Sequence, residues 1–357
     1  MSETVTRSRR GRLLRFAAAF LVLLAVASYV GVQYLTGGAG GPVKCTVRAS
    51  GSGSGGARAD GGDDGSFELT PEQASNAATI SAVGISRGMP ERAVTIALAT
   101  ALQESELRNL RTGDRDSVGL FQQRPSAGWG TSAHILDPVY ASTQFYKHLA
   151  KIPGYSRLPL TVAAQEVQHS GFPQAYAKHE PDATLLAAAF TGLAPAVLTC
   201  PAPFDHAPGD PGKVRTALVR AFGPKVLPAA TASTAGQDSA RRRTAPPAAS
   251  GTAELSASGV SGAGTAAAAA PVVSVPVRAT PGGGTHGEMA STTTQQRGWE
   301  LAHWAVARAG ALHIDRVAYG GRVWSAADAG AGWQRLAGKS GESDKSATSE
   351  VRITLAQ

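Results

Sequence analysis

Three things are scarce in this chain of 357 residues: aromatic side chains (6%), cysteines (two), and the short motifs that hold metals or phosphates. Few aromatics beside 42 glycines and 21 prolines indicate folded blocks separated by unstructured chain. A hydrophobic share of 43% supplies one or two buried cores and excludes a polytopic membrane protein. Cys45 and Cys200 fit an oxidising compartment, where an even count pairs. Paired, they close a long loop worth about 5 kcal/mol in the chain-entropy model; the alternative is two free thiols. Neither cysteine has histidine neighbours at zinc spacing. No phosphate loop, nucleophile elbow or paired zinc motif occurs, so no metal or organic cofactor is implied.

The balance of 34 basic against 26 acidic residues gives +8, and its location matters more than its size. Residues 1–40 carry +4 and residues 67–200 carry −1. A surplus concentrated in a short head excludes a nucleic-acid partner. Arg7, Arg9, Arg10, Arg12 and Arg15 precede twenty uncharged residues, 16–35. As a helix that run spans roughly 30 Å, the thickness of bilayer hydrocarbon. The arginines place the N-terminus in the cytoplasm and everything after residue 35 outside, as a single-pass membrane protein. Ala25-Val26-Ala27 has the form of a signal-peptidase site, so a cleaved, secreted form is the alternative.

Composition then divides the chain into a basic head (1–15), the membrane anchor (16–35), a flexible Gly/Ser/Ala/Asp tether (36–66), a helical block (67–200) and a short helical extension (201–227). A disordered Ala/Thr/Ser/Pro/Gly linker (228–290) and a small α+β module (291–357) follow. Thr70-Pro71-Glu72-Gln73 reads as a capping box opening a helix to about Ser86. A second helix covers 90–108, where Val94, Ala97, Leu98, Ala101 and Ser105 share one face. Asp137-Pro138 opens a third, and 162–168 and 181–193 are further helices, with an irregular loop over 110–135. In the module, Trp299, Ala302, His303 and Val306 predict an amphipathic helix. Val317 to Trp324 predicts a hairpin, and 350–355 a closing strand.

Glu104 is the unusual ionisable group. It flanks the apolar face of the second helix near the C-terminus, where the helix dipole disfavours another negative charge. Poor solvation and that dipole would both favour the protonated carboxyl, the form that protonates a glycosidic oxygen. The alternative is a solvated helix-end residue like Glu106. Glu104-Ser105 is followed about fifteen residues on by Gly119-Leu120-Phe121-Gln122. This arrangement resembles the soluble lytic transglycosylase and goose-type lysozyme superfamily, over roughly residues 67–200.

The resemblance implies a mainly α, lysozyme-like domain that cleaves the β-1,4 bond between N-acetylmuramic acid and N-acetylglucosamine in peptidoglycan glycan strands. Glu104 would be the acid and then the base, Ser105 would orient neighbouring groups, and Phe121 and Gln122 would line the sugar cleft. The family's methionine is Phe121 here. Its Tyr-Asn-Ala-Gly element is absent and Gln165-Glu166-Val167-Gln168-His169-Ser170-Gly171-Phe172 stands instead, leaving Gln168, Phe172 or Tyr176 to replace the tyrosine. Asp114, in a Gly-Asp-Arg resembling the goose-type element, and Asp116 are the candidates for a second carboxylate. Inverting hydrolysis would need one at roughly 6.5–9.5 Å, and both residues also suit turns. Single-acid chemistry, in which the sugar's own 6-hydroxyl closes an anhydro ring, needs neither. Trp129, with Arg124 and Tyr155, offers a stacking platform. A wall-binding scaffold that kept the fold and lost turnover is the rival reading.

Trp299, Leu301-Ala302-His303-Trp304 and Val317 to Trp324 resemble the C-terminal module of exported actinobacterial wall proteins, related in turn to zinc-dependent D-Ala-D-Ala peptidases. The expected histidine positions read Thr285-His286-Gly287-Glu288 and Glu350-Val351-Arg352-Ile353-Thr354, too few for three zinc ligands. The module therefore reads as degenerate and non-catalytic.

Overall fold

In the computed structural model, residues 43–50, 65–201, 207–228, 270–279, 293–336 and 347–357 are described. The head, the expected anchor at 16–35 and most of the tether and linker lie outside them. Among the described residues no helix is long and apolar enough to cross a membrane. The fold is largely helical with a small antiparallel sheet toward the C-terminus, and Lys44–Gln357 form one unit.

Strand β1, Cys45–Arg48, falls in the segment that composition assigns to the tether. It pairs antiparallel with β2, Ser66–Leu69, which places Cys45 opposite Leu69. Helix α1, Pro71–Ser86, then starts at the capping box: the Gln73 amide donates to Thr70 Oγ1 at 3.2 Å, and the Thr70 amide to Gln73 Oε1 at 2.7 Å. Helix α2, Glu91–Ser105, is buried on every side, with Ala93, Val94, Ile96, Ala97, Leu98 and Ala101 at 0% exposure. Thr95 and Thr100 satisfy their hydroxyls on carbonyls four residues back.

Helix α2 ends at Ser105, three residues before the expected limit at 108. Glu106 and Leu107 both turn left-handed, at φ 52° and 59°, and the Leu107 amide donates back to the Ala101 carbonyl at 3.1 Å. Two α1 side chains cap the freed carbonyls: Gln73 Nε2 donates to Glu106 O and Asn76 Nδ2 to Leu107 O, both at 2.8 Å. No glycine marks this stop, so periodicity alone runs past it.

Short α3, Ser132–Ile135, precedes α4, Pro138–Leu149, which Asp137 caps. Helices α5, Leu160–Gln168, and α6, Glu180–Phe190, follow, and α6 packs extensively along α2. Strand β3, Leu198–Thr199, returns to β1, completing a sheet of order β2-β1-β3, and the Cys45–Cys200 disulfide forms at this edge. Helix α7, Pro211–Phe222, is the expected extension.

Strand β4, Val272–Pro276, lies within the segment whose composition predicts disorder. Its alternating Val273 and Val275 are fully buried, and its register with the last strand sets Val273 opposite Ile353. A five-residue valine pattern is too short to move an average taken over sixty residues. Helix α8, Thr294–Ala307, opens on a second capping box at Thr293, and α9, Ala309–Leu312, extends it. Strands β5, Ile314–Tyr319, and β6, Arg322–Ser325, form the expected hairpin over Gly320 and Gly321, both at positive φ. With β7, Gln334–Arg335, and β8, Glu350–Leu355, the sheet order is β4-β8-β5-β6-β7, antiparallel throughout.

Helix α8 packs on α1 and α6, so the C-terminal module and the helical block share apolar surface. The Thr199 hydroxyl donates to the Ala329 carbonyl at 2.6 Å and accepts from Trp324 Nε1 at 3.2 Å; Trp333 Nε1 donates to Leu198 O at 2.9 Å. At Gly192 a Cβ would meet the Gln296 carbonyl at 1.9 Å, so only glycine lets α6 end against α8. Fully buried His303 donates through Nδ1 to the Ala189 carbonyl at 2.8 Å, while its Nε2 has no hydrogen-bond partner among the described residues. Burial outweighs that hydrogen bond and pulls the imidazole down to about 4.

Two measurements test these contacts. Replacing Cys45 and Cys200 together by serine should cost about 2–5 kcal/mol in urea denaturation, because the released chain regains its loop entropy. For His303, the unfolded imidazole takes a proton near 6.5 and the folded one resists until about 4. Stability should therefore fall as pH drops across that window, by on the order of 3 kcal/mol. His303→Gln should flatten that part of the slope; an unchanged difference between pH 7 and 4.5 would refute it.

Candidate functional site

The last turn of α2 is where the chemistry-bearing residues gather. Glu104 is half-buried there, and its Oε1 accepts a hydrogen bond from the Tyr176 hydroxyl at 2.7 Å. Tyr176 sits at 0% exposure in the 3-10 segment Pro173–His179, which docks on the end of α2. His179 Nε2 makes a second tie, to Gln103 Oε1 at 3.2 Å. Burial first, then the Glu104 charge, pushes the Tyr176 phenol well above its ordinary range. The phenol thus stays a donor at any physiological pH. Of the three residues offered as replacements for the missing tyrosine, Tyr176 is the one bonded to Glu104, although it comes eleven residues after the altered element begins.

The loop that follows α2 is pinned to it. Ser105 Oγ, buried, approaches the Leu120 carbonyl at 2.7 Å and the Ala101 carbonyl at 3.0 Å. Gln168, the last residue of α5, donates through Nε2 to the Phe121 carbonyl at 2.8 Å. Two side chains from two helices therefore hold consecutive carbonyls of Gly119-Leu120-Phe121-Gln122. Bridges between Leu110 and Gly119 and between Val118 and Gln123 shape the turn, with Gln122 left-handed at φ 45°. The Phe121 ring is fully buried and stacked on Phe145, centroids 4.7 Å apart, so its backbone and not its ring faces the loop's contacts. The Gln122 amide is braced: Oε1 accepts from Ser117 Oγ at 2.9 Å and Nε2 donates to Gly119 O at 3.2 Å.

The two loop aspartates differ. The Asp114 side chain is 95% exposed and, among the described residues, its one ion pair is with its neighbour Arg115, at 4.0 Å. Asp116 accepts from the Ser126 amide (2.7 Å), Ser126 Oγ (2.9 Å) and Arg124 Nε (2.9 Å). Those donors, the Ser126 amide foremost, hold its carboxyl far below the usual range. Such a carboxylate ties down a turn and is a poor base. Trp129 is engaged elsewhere, its indole stacked on His148 at 4.2 Å and its carbonyl taken by Tyr140. Arg124 belongs to Asp116, and Tyr155 is buried in the core.

In the C-terminal module His286 lies outside the described residues, and His303 has Trp299 and Trp333 for ring neighbours. Among the described residues no three His, Cys, Asp or Glu side chains come together to hold a metal ion. Buried Glu300 is instead paired with Arg297 at 2.7 Å, and its desolvation raises its pKa.

Sequence reasoning missed Gly113 and Ser117, the brace behind Gln122. A Cβ on Gly113 would stand 1.7 Å from Gln122 Oε1 and 2.4 Å from Ser117 Oγ. The only signal for this was a glycine in an otherwise charged stretch. Ser105→Ala would strand the Leu120 carbonyl in a buried position, at about 1–3 kcal/mol. The expected readout is that loss in urea denaturation, with faster amide exchange at Gly119, Gln122 and Gln123 and little change in α1.

Residues 277–347 match the family model described as VldE, C-terminal domain. No curated protein matches the chain. The C-terminal module is thus similar to the VldE C-terminal domain.

Proposed function

We propose that this chain cleaves the β-1,4 glycosidic bond of peptidoglycan between N-acetylmuramic acid and N-acetylglucosamine, with Glu104 as general acid and then base, in a lysozyme-like helical domain. The observation that carries the reading is the Tyr176–Glu104 hydrogen bond at the end of the buried helix. It fixes one carboxyl beside a loop that Ser105 and Gln168 hold by its carbonyls. A single reacting carboxyl needs that kind of fixed rotamer, because proton delivery falls off steeply with misplacement.

The chemistry follows from these groups. Glu104 Oε2, the oxygen that Tyr176 does not hold, would give its proton to the bridging oxygen as the C1–O bond breaks. Tyr176 would steady the carboxylate left behind through Oε1. The same carboxylate would then take the proton from the attacking oxygen. With Asp116 locked in its turn and Asp114 in solvent, the attacker best supported is the sugar's own 6-hydroxyl, which makes this a lytic transglycosylase rather than an inverting muramidase. Gln122, braced by Ser117, would shape the sugar site. In this reading residues 16–35 anchor the chain in the cell membrane, and the bulk works outside on the wall layer within reach of the tether.

Glu104→Gln should reduce release of muropeptides from purified sacculi by at least about 100-fold while leaving the unfolding temperature in place. Tyr176→Phe should reduce it about 10-fold, and mass spectrometry should find anhydro ends. Equal turnover before and after Glu104→Gln would sink the enzymatic reading and leave a wall-binding scaffold.

A further inference from the structure

A cavity of about 670 Å³ lies where the C-terminal module meets the helical block, away from Glu104 in its lining. Helix α1 contributes Asn76 and Thr79 to it, the start of α4 contributes Asp137, and α7 supplies Lys213 and Arg220; Arg308 closes it from the end of α8. The walls between these polar groups are apolar, formed by Pro138, Val139, Ala217 and Leu312.

The charges in this cavity do not cancel. Asp137 Oδ1 accepts the Val139 amide at 3.0 Å as a helix cap, and its Oδ2 takes Arg220. Asp210, the other carboxylate, caps α7 through the Gly212 and Lys213 amides at 2.7 and 3.4 Å. Three cations, Lys213, Arg220 and Arg308, therefore face two carboxylates that are already committed. Arg308 donates through Nη1 to Thr79 Oγ1 at 3.2 Å and rests over the Trp304 ring at 5.5 Å. Its Nε is enclosed by protein and has no hydrogen-bond partner among the described residues. Among the described residues no carboxylate reaches Arg308 or Lys213 within ion-pair distance. A guanidinium with no counter-charge is costly to desolvate, and an oxyanion that reaches its Nη end from the cavity would offset that cost.

We propose that this cavity is a binding site for a small monocarboxylate with an apolar body. One net positive charge fits a singly charged anion, and the planar fork of Arg308 suits a carboxylate. The apolar walls accept the rest of the ligand. Arg308 and Leu312 come from the C-terminal module and the opposing residues from the helical block and its extension α7, so the ligand would bridge these parts and stabilise their contact. The site is independent of the glycosidase reading.

The probe is hexanoate, titrated calorimetrically into the full chain in detergent, with hexylammonium and inorganic phosphate as controls. Hexanoate should saturate one site below about 10 mM and raise the unfolding temperature, whereas hexylammonium should do neither. Arg308→Met should weaken binding about 10-fold or more, and Lys213→Met about 3-fold. Should Arg308→Met fail to fold, exposed Lys213 and the cavity-filling Ala217→Trp decide the matter, the latter expected to abolish binding. The proposal is overturned by absent saturation, by equal binding of hexylammonium, by tighter binding of phosphate than of hexanoate, or by unchanged affinity in both Lys213→Met and Ala217→Trp.

Discussion

A helix with no solvent face exists only if other elements close around it, and α2 imposes that constraint on the whole molecule. Its Ala-rich sequence leaves every flank thin enough for a neighbour to approach, and α1, α4, α5 and α6 all pack against it. Its termini are the places where such a helix can meet water. One end is capped through the carbonyls of Glu106 and Leu107 by side chains of α1, and the same turn carries Glu104 and Ser105. The candidate site thus sits where the central helix must stop being buried. That position gives a carboxyl both a rigid mount and an outlet.

The site is built with few parts because each does two jobs. Ser105 completes the helix and fixes the loop, and Gln168 ends α5 while holding the next carbonyl. Tyr176 fills the core with its ring and orients Glu104 with its hydroxyl. Loop strain is concentrated nearby, with Glu106, Leu107, Arg115 and Gln122 all left-handed without being glycine. Each such residue costs about 1–2 kcal/mol against an ordinary conformation, and the hydrogen bonds that over-determine the loop offset this.

The C-terminal module is joined to the helical block by more than apolar contact. Trp324, Trp333 and His303 each spend a ring nitrogen on Thr199, Leu198 or Ala189 of the helical block. In doing so its aromatic residues serve as the mortar of an interface. The same junction leaves Arg308 short of a counter-charge, so the region combines tight packing with an unsettled electrostatic balance.

Local chemistry was legible in the sequence wherever a few neighbouring residues sufficed. The capping box at Thr70, the aspartate cap at Asp137, the Gly320-Gly321 hairpin and the β8 pattern are all written in short stretches, because caps and turns are settled within four residues. Glu104 and its loop were legible for the same reason, lying within twenty residues of each other. What brought Tyr176 to Glu104 across 72 positions, buried the Phe121 ring, recruited Val272–Pro276 as a sheet edge and set α8 against α1 was packing among distant segments. No local pattern encodes such neighbours, because each is chosen by which surfaces remain uncovered once the central helix has been enclosed.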